Sequence, residues 1–303
     1  MNSNNLDEFS KNIKGKIKYN YSLKNHTWLN IGGNAKIFFI PETLSELRNF
    51  ILKLQENHNN FFIMGAGSNL LISDNIQNRI FIKLGKNFNK ISLTKENVII
   101  AGCSILDKSV SDFACKNSLS GLEFLSCIPG SVGGGIRMNS GCFGKEFKDV
   151  LLSVQVMDFK GKVYTINSKD IKFEYRKTDL PKNLIFLSAS FQTSKSNKNK
   201  IEKNILNLIE RKKNSQPLRV KTGGSTFKNP LSHSKKKVWE LIKESVDHQI
   251  SFGDAKISEK HSNFFINSNN ASFENMYSLI NHVKKKVKEK TGINLELELE
   301  IVN

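Results

Sequence analysis

The stretch GLEFLSCIPGSVGGGIRMNSG, residues 121–141, decides how this chain is read. Its centre, Ile128-Pro129-Gly130-Ser131-Val132-Gly133-Gly134-Gly135, puts four glycines into eight residues, and Asn139-Ser140-Gly141 continues it. Each glycine set in regular structure costs roughly 0.5–1 kcal/mol of backbone entropy. A simple connection does not need that; a backbone that must come close to a phosphate or a planar ring does. A second cluster, Gly65-Ala66-Gly67-Ser68-Asn69-Leu70, follows directly on the apolar run Phe61–Met64. Glycines there let successive N–H groups close around an anion. Leu70 breaks the G-x-G-x-x-G pattern, and no G-K-[ST] follows, so neither a Rossmann nor a Walker A loop is present. Alone, this second cluster is explained as well by a tight turn. Two such nests on one chain predict a long dinucleotide lying between two lobes.

Outward from these loops, the N-terminal half alternates short apolar runs with helical patterns, as α/β and α+β folds do. Ala35–Ile40 reads as a strand stopped by Pro41, and Thr43-x-x-Glu46 as the capping box of a helix to about Leu54. Arg79–Leu84 and Asn97–Ala101 read as strands. Ser104-x-x-Asp107 caps a further helix with Leu106, Val110 and Phe113 on one face. Val150–Phe159 and Lys162–Ile166 form a hairpin around Lys160-Gly161, and Leu184–Thr193 is the last strand of this half. The polar stretch SKSNKNK, residues 194–200, marks a domain boundary. Beyond it lies a helix over 201–213 with Ile201, Ile205, Leu208 and Ile209 inward. Residues 216–230 lack periodicity, and long irregular segments of that kind tend to be functional. Helices follow near 235–245 and 272–290, the latter ended by Gly292. INLELELEIV closes the chain as an alternating strand.

Composition excludes several classes. With 38% hydrophobic and 24% charged residues the chain is globular, and no apolar run approaches the ~20 residues of a membrane span. The N-terminus is polar and lacks the apolar core of a signal peptide, so a cytoplasmic protein is expected. The four cysteines form no C-x-x-C pair and no H-E-x-x-H occurs, so free thiols and no metal are expected. The net charge of +18 admits three readings: nucleic-acid binding, lysines spread over solvated faces, or a field that draws small anions such as nucleotides. VKKKVKEK, residues 283–290, spaces its valines as the dry side of an amphipathic helix does. Its lysines have almost no interleaved aromatics, as a nucleic-acid platform would need.

Chemical candidates sit in the irregular parts. Tyr175-Arg176 in FEYRKTDL, taken alone, reads as carrying an ordinary surface arginine. In GGSTFKNP, residues 223–230, Gly223-Gly224 free the backbone beside Ser225, which is a turn former or a proton donor. No histidine lies near in sequence to make it a nucleophile, and no G-x-S-x-G elbow exists. Glu296, Glu298 and Glu300 share one face of the last strand, where a solvated acidic edge accounts for two of the three.

Seven segments, in order over most of the chain, resemble the UDP-N-acetylenolpyruvoylglucosamine reductase (MurB) family. They are TWLNIGGNAKIFFIP, MGAGSNLLISD, GLEFLSCIPGSVGGGIRMNSGCFGKEFKDV, FEYRKTDLP, QPLRVKTGGSTFKNP, ISEKHSNFFIN and the C-terminal LELEI. The resemblance implies an α+β fold: an FAD-binding module of the vanillyl-alcohol-oxidase (PCMH) type over 1–197, in two lobes divided near 75–85, and a C-terminal α/β substrate-binding domain over 198–303. It implies an enzyme of peptidoglycan synthesis that uses NADPH and FAD to reduce the enolpyruvyl group of UDP-N-acetylglucosamine enolpyruvate to UDP-N-acetylmuramate. Carried over residue by residue, it makes Arg176, Ser225 and Glu298 catalytic. It gives Gly65, Ala66, Gly67, Ser68, Asn69, Leu70, Ile128, Pro129, Gly130, Ser131, Gly133, Gly134, Gly135, Asn139 and Gly141 to the cofactor. Tyr175, Lys213 and Asn229 go to the substrate. Ser140 and Cys142-Phe143 depart slightly from the family pattern. VDHQISFGDA, residues 246–255, is too short for the tyrosine-bearing loop of the longer subtype, so the short type II form is expected. A monomer acting on a UDP-sugar, with no nucleic acid and no membrane, is expected. The rival within the fold is another FAD-linked oxidoreductase, which would lack the serine of GGSTFKNP.

Overall fold

The apolar run ended by Pro41 forms the strand Asn34–Ile40 of a computed structural model that describes residues 13–56, 60–75 and 78–303. It pairs in parallel with Ile80–Ile82, which pairs in parallel with Phe61–Ile63; Lys16–Ser22 completes this four-stranded sheet. The capping box forms as the spacing requires. Thr43 Oγ1 accepts from the Glu46 amide at 3.1 Å, and Glu46 Oε2 accepts from the Thr43 amide at 3.3 Å. The helix Leu44–Glu56 then buries Leu47, Phe50, Ile51 and Leu54, one stripe at helical spacing.

A five-stranded antiparallel sheet follows, in the order Val163–Asn167, Leu151–Asp158, Leu184–Phe191, Ile99–Gly102, Ile91–Leu93. The expected hairpin is present, with Met157 opposite Val163 and Gly161 at φ +77°. Strand side chains alternate between faces. Leu184 and Phe186 therefore enter one core cluster and Ile185 and Leu187 another, which explains the unbroken apolar run. These elements form one compact unit, made of the described parts of 1–19, 36–66 and 79–210.

Two helices differ from expectation. The first runs Asp107–Lys116 with no side-chain cap; Ser104 Oγ donates to the Gly85 carbonyl at 3.5 Å instead. Leu106 precedes the helix in extended conformation, so it falls off the helical repeat and is exposed, and the buried face is Asp107, Val110, Ser111, Ala114 and Cys115. The second, Lys198–Ser215, begins inside the stretch read as a linker. It buries only Ile201 fully, and Ile209 is exposed, so the helix is packed along only part of its length.

The second unit collects 211–303 with 20–35 and 67–78. Lys221–Ser225, Phe264–Asn267, Ala255–Ile257 and Ser251–Phe252 form an antiparallel sheet in that order. The segment 216–230 is thus partly strand, with a register shift at Gly223-Gly224. Leu241 and Ile242 of the helix Val238–Ser245 share a core with Met276, Leu279, Ile280, Val283 and Val287 of Phe273–Thr291. Lys285, Lys286, Lys288 and Lys290 lie on the exposed side of that helix. Gly292, left-handed at φ +72°, closes it by donating to the Lys288 carbonyl. Leu29, Ile31 and Leu71 are buried in the same core, and Leu70–Ile72 pairs in parallel with Glu300–Val302. A module running unbroken from 1 to 197 is therefore not what the contacts outline: two early segments supply apolar surface that the C-terminal helices cover. The closing strand is also shorter than its alternation implies. The amides of Glu298 and Leu299 both go to the single carbonyl of Thr226, so no regular ladder forms before Glu300.

Candidate active site

Residues 128–141 are not one loop, because Val132–Arg137 is a short helix. Three of its neighbourhood's glycines have an internal reason to lack a side chain. A Cβ on Gly133 would lie 3.2 Å from the Cys103 carbonyl oxygen, one on Gly135 2.3 Å from the Phe147 ring, and one on Gly141 2.4 Å from the Lys145 carbonyl oxygen. Gly134 is exposed, and a Cβ there would meet only Ser131 Oγ, at 3.7 Å. Gly65 is exposed too, and its Cβ would fall 2.7 Å from the same Ser131 Oγ. Ser131 is 3% exposed, and its hydroxyl has no hydrogen-bond partner among the described residues. A buried hydroxyl in reserve beside two open glycines is a fit for the polar groups of a nucleotide cofactor. Gly130 gives its carbonyl to the Asp107 amide, and Ile128 packs against the core beside Pro129.

Asn139 is built differently. It is fully buried at φ +42°; its Nδ2 donates to Glu146 Oε2 and the Glu174 carbonyl, and its Oδ1 accepts from the Lys148 amide. That side chain is committed to the protein, so only its backbone is left for a cofactor. The 65–70 cluster divides likewise. Gly67 is buried at φ +73° and its carbonyl accepts from Trp28; Leu70 begins a strand. Asn69 Nδ2 donates to the Glu298 carbonyl at 2.8 Å, while the Asn69 carbonyl accepts from the Glu300 amide. Ser68 and Ala66 are half-buried.

Arg176 occupies the third position of a tight turn between Phe173–Glu174 and Lys177–Thr178. Its φ of +55° is a conformation that favours glycine, and holding arginine there costs about 1 kcal/mol or more. The side chain is only 18% exposed. Its Nη2 donates to the Gly141 carbonyl at 3.2 Å, its Nη1 lies 3.8 Å from Glu146 Oε1, and the guanidinium stacks 4.9 Å from the Tyr175 ring. Strain of this kind persists where the surroundings over-determine it, and it concentrates at functional sites.

In the second unit Ser225 ends its strand just after Gly224, at φ +80°. Thr226, the next residue, accepts from the Glu298 amide at 2.9 Å, so the backbones of Ser225 and Glu298 are fastened side by side. Asn263, 3% exposed, grips the other side: its Oδ1 accepts from the Phe227 amide and its Nδ2 donates to the Phe227 carbonyl. Glu298 is half-buried, whereas Glu296 and Glu300 are exposed. Asn229 Oδ1 accepts from the Val238 amide at 3.0 Å, which fixes the side-chain amide at the start of the helix Val238–Ser245. Lys213 is exposed, its carbonyl held by Lys260 Nζ.

Two family models match this chain: an FAD binding domain over residues 35–167, and the UDP-N-acetylenolpyruvoylglucosamine reductase C-terminal domain over 216–302. A reductase of that name from Pelagibacter ubique (strain HTCC1062) is 53% identical over 302 residues, covering 100% of both chains. The chain belongs to the UDP-N-acetylenolpyruvoylglucosamine reductase family. The family's reductase from Rickettsia bellii (strain RML369-C) is 40% identical over 95% of this chain and 94% of its own length. The solved reductase from Thermus caldophilus superposes with a TM-score of 0.81 at 29% identity, covering 96% of this chain and 100% of that one. Within this reductase, the residues that sequence reasoning missed are polar ones with structural partners. Glu146 and Asn263 carry no spacing signal, because a side chain that satisfies a backbone group looks in sequence like any surface amide or acid. The cofactor of this reductase is FAD.

Proposed function

We propose that Arg176, Ser225 and Glu298 carry out the substrate half of the family's reaction: the NADPH-dependent, FAD-mediated reduction of UDP-N-acetylglucosamine enolpyruvate to UDP-N-acetylmuramate, a step of peptidoglycan synthesis. One observation carries the residue assignment: a half-buried guanidinium held on a strained backbone, in a chain related to the reductases over its full length. FAD, when bound, supplies two-electron hydride transfer between NADPH and the substrate. Gly65, Gly134 and Ser131 would hold it, with the remaining residues of the two glycine segments contributing backbone.

The substrate's reacting double bond is an enol ether next to a carboxylate. As hydride arrives at C3, negative charge builds on that carboxylate, and a fixed cation in a partly dry site stabilises it. Arg176 is that cation. The Ser225 hydroxyl then delivers a proton to C2, which completes the saturated lactyl group. Glu298, fastened beside Ser225, donates a hydrogen bond to the same carboxylate when protonated. Tyr175 flanks the guanidinium, Asn229 reaches the UDP part, and Lys213 supplies a cation suited to the diphosphate. We assign Gly65, Gly134 and Ser131 of the first unit to FAD, and Ser225, Asn229 and Lys213 of the second to the UDP-sugar. No helix among the described residues is long and apolar enough to cross a membrane. A monomer in the bacterial cytoplasm, with no nucleic-acid partner, is the reading we adopt.

The test separates the half-reactions anaerobically. Ser225→Ala should leave flavin reduction by NADPH intact and slow flavin reoxidation by the enolpyruvyl substrate by on the order of a hundredfold or more. Unchanged rates in both would remove Ser225 from the chemistry. A folded protein that takes up no FAD would overturn the assignment of the glycine segments.

A further inference from the structure

The short hairpin Gly141–Cys142 with Lys145–Glu146 sets Gly141 directly opposite Glu146. Each offers an oxygen to Arg176: the Gly141 carbonyl accepts from Nη2 at 3.2 Å, and Glu146 Oε1 lies 3.8 Å from Nη1. A guanidinium is a rigid plane with its donors in fixed directions. Engaging two of its nitrogens from one hairpin sets the plane in which the other donors point.

Glu146 is itself held. Its Oε2 accepts from Asn139 Nδ2 at 2.9 Å and lies 2.9 Å from Lys148 Nζ, which leaves Oε1 for the arginine. The same Asn139 amide donates to the Glu174 carbonyl at 3.1 Å, the residue that opens the turn bearing Arg176. One fully buried asparagine therefore sets both the carboxylate and the backbone on which the guanidinium stands. A purely structural reading is available for Oε2, because Glu146 also caps the turn Phe147–Asp149. It does not account for Oε1 facing a cation on strained backbone.

The geometry points to Glu146, seated by Asn139, as a positioning residue for Arg176, fixing the guanidinium plane that the substrate carboxylate meets. This rests on the reading of Arg176 given above. Misplacing a catalytic group by a fraction of its working distance is costly in rate, so the expected loss is roughly ten- to a hundredfold in the substrate half-reaction alone.

The experiment uses the FAD-loaded full chain in anaerobic stopped flow, with three single variants and one double. Glu146→Gln should leave reduction by NADPH unchanged and slow reoxidation by UDP-N-acetylglucosamine enolpyruvate. Glu146→Asp, which keeps the charge on a shorter arm, should recover part of the rate, and it carries the comparison if the Gln variant fails to load flavin. Arg176→Ala should slow reoxidation further. On that background Glu146→Gln should add nothing, since two groups acting through one contact are not additive. Substrate affinity, read as the shift of the flavin absorption on titration, should weaken in the same non-additive pattern. The proposal fails if the Gln variant reoxidises at the wild-type rate, if both half-reactions fall together, or if the two effects multiply. If Arg176→Ala reoxidises normally, the reading of Arg176 fails and takes the proposal with it; multiplying effects would leave that reading standing.

Discussion

Gly134 is exposed, and a Cβ built on it would meet nothing nearer than Ser131 Oγ at 3.7 Å; Gly135, the next residue, is buried, and a Cβ there would lie 2.3 Å from the Phe147 ring. The pair shows that glycine density records two separate demands. One is an open surface that a ligand can approach. The other is a core so close to the backbone that no side chain fits. Substitution separates them. Gly135→Ala forces a methyl into a fully buried phenyl ring, and overpacking of that kind costs about 1–3 kcal/mol or more. Thermal unfolding should drop accordingly, and Phe147→Leu in the same chain should restore part of the loss. Gly134→Ala, inside the helix Val132–Arg137, should instead stabilise the flavin-free protein by about 0.5–1 kcal/mol while weakening FAD. An FAD affinity unchanged in Gly134→Ala would mean that its open face is not cofactor surface.

How much of this could be read beforehand depends on range. Thr43 and Glu46 announce their helix because cap and partner are three residues apart, and the hairpin at Lys160-Gly161 is equally local. The pairing of Leu70–Ile72 with Glu300–Val302 joins segments far apart in sequence, and no periodicity in either reveals the other. The site divides the same way. The glycine segments, Arg176 and Ser225 stand in recognisable local motifs. The left-handed backbone of Arg176, the commitment of Asn139 and Asn69 to internal bonds, and the grip of Asn263 on Phe227 arise only once distant backbone groups meet.

The contrast between open and sealed extends to polar groups beside the same segment. The hydroxyl of Ser131 lies against the open glycines, whereas Asp107 is fully buried and neither carboxylate oxygen has a partner among the described residues. Burial holds the Asp107 carboxyl well above the usual carboxylate range. At acid pH both folded and unfolded chains keep this proton, and nothing is lost. Above about pH 4 the unfolded chain releases it first, so Asp107 lowers stability by about 1.4 kcal/mol per pH unit until the folded carboxyl ionises. Asp107→Asn has no such proton. Its stability relative to the parent should rise from pH 4 toward neutrality, measured as denaturation midpoints at a series of pH values. Parallel pH curves for the two proteins would show that the carboxyl is ionised or solvated in the fold.

Arg176 inverts the case of Gly135, because it keeps a large side chain where backbone geometry favours none. Arg176→Gly relieves a left-handed conformation worth about 1 kcal/mol or more. Among the contacts it removes are the hydrogen bond to Gly141, the stacking on Tyr175 and the pairing with Glu146, which act in the opposite direction. Net stability should therefore change little, and the thermal midpoint should stay close to that of the parent. Reduction of the enolpyruvyl substrate should nevertheless collapse, because the cation is gone while the turn survives. If Arg176→Gly is strongly destabilised, the guanidinium is a structural pin and its strained seat has nothing to do with the substrate. If it is stable and inactive in the substrate half-reaction alone, the strain is held in place for the chemistry.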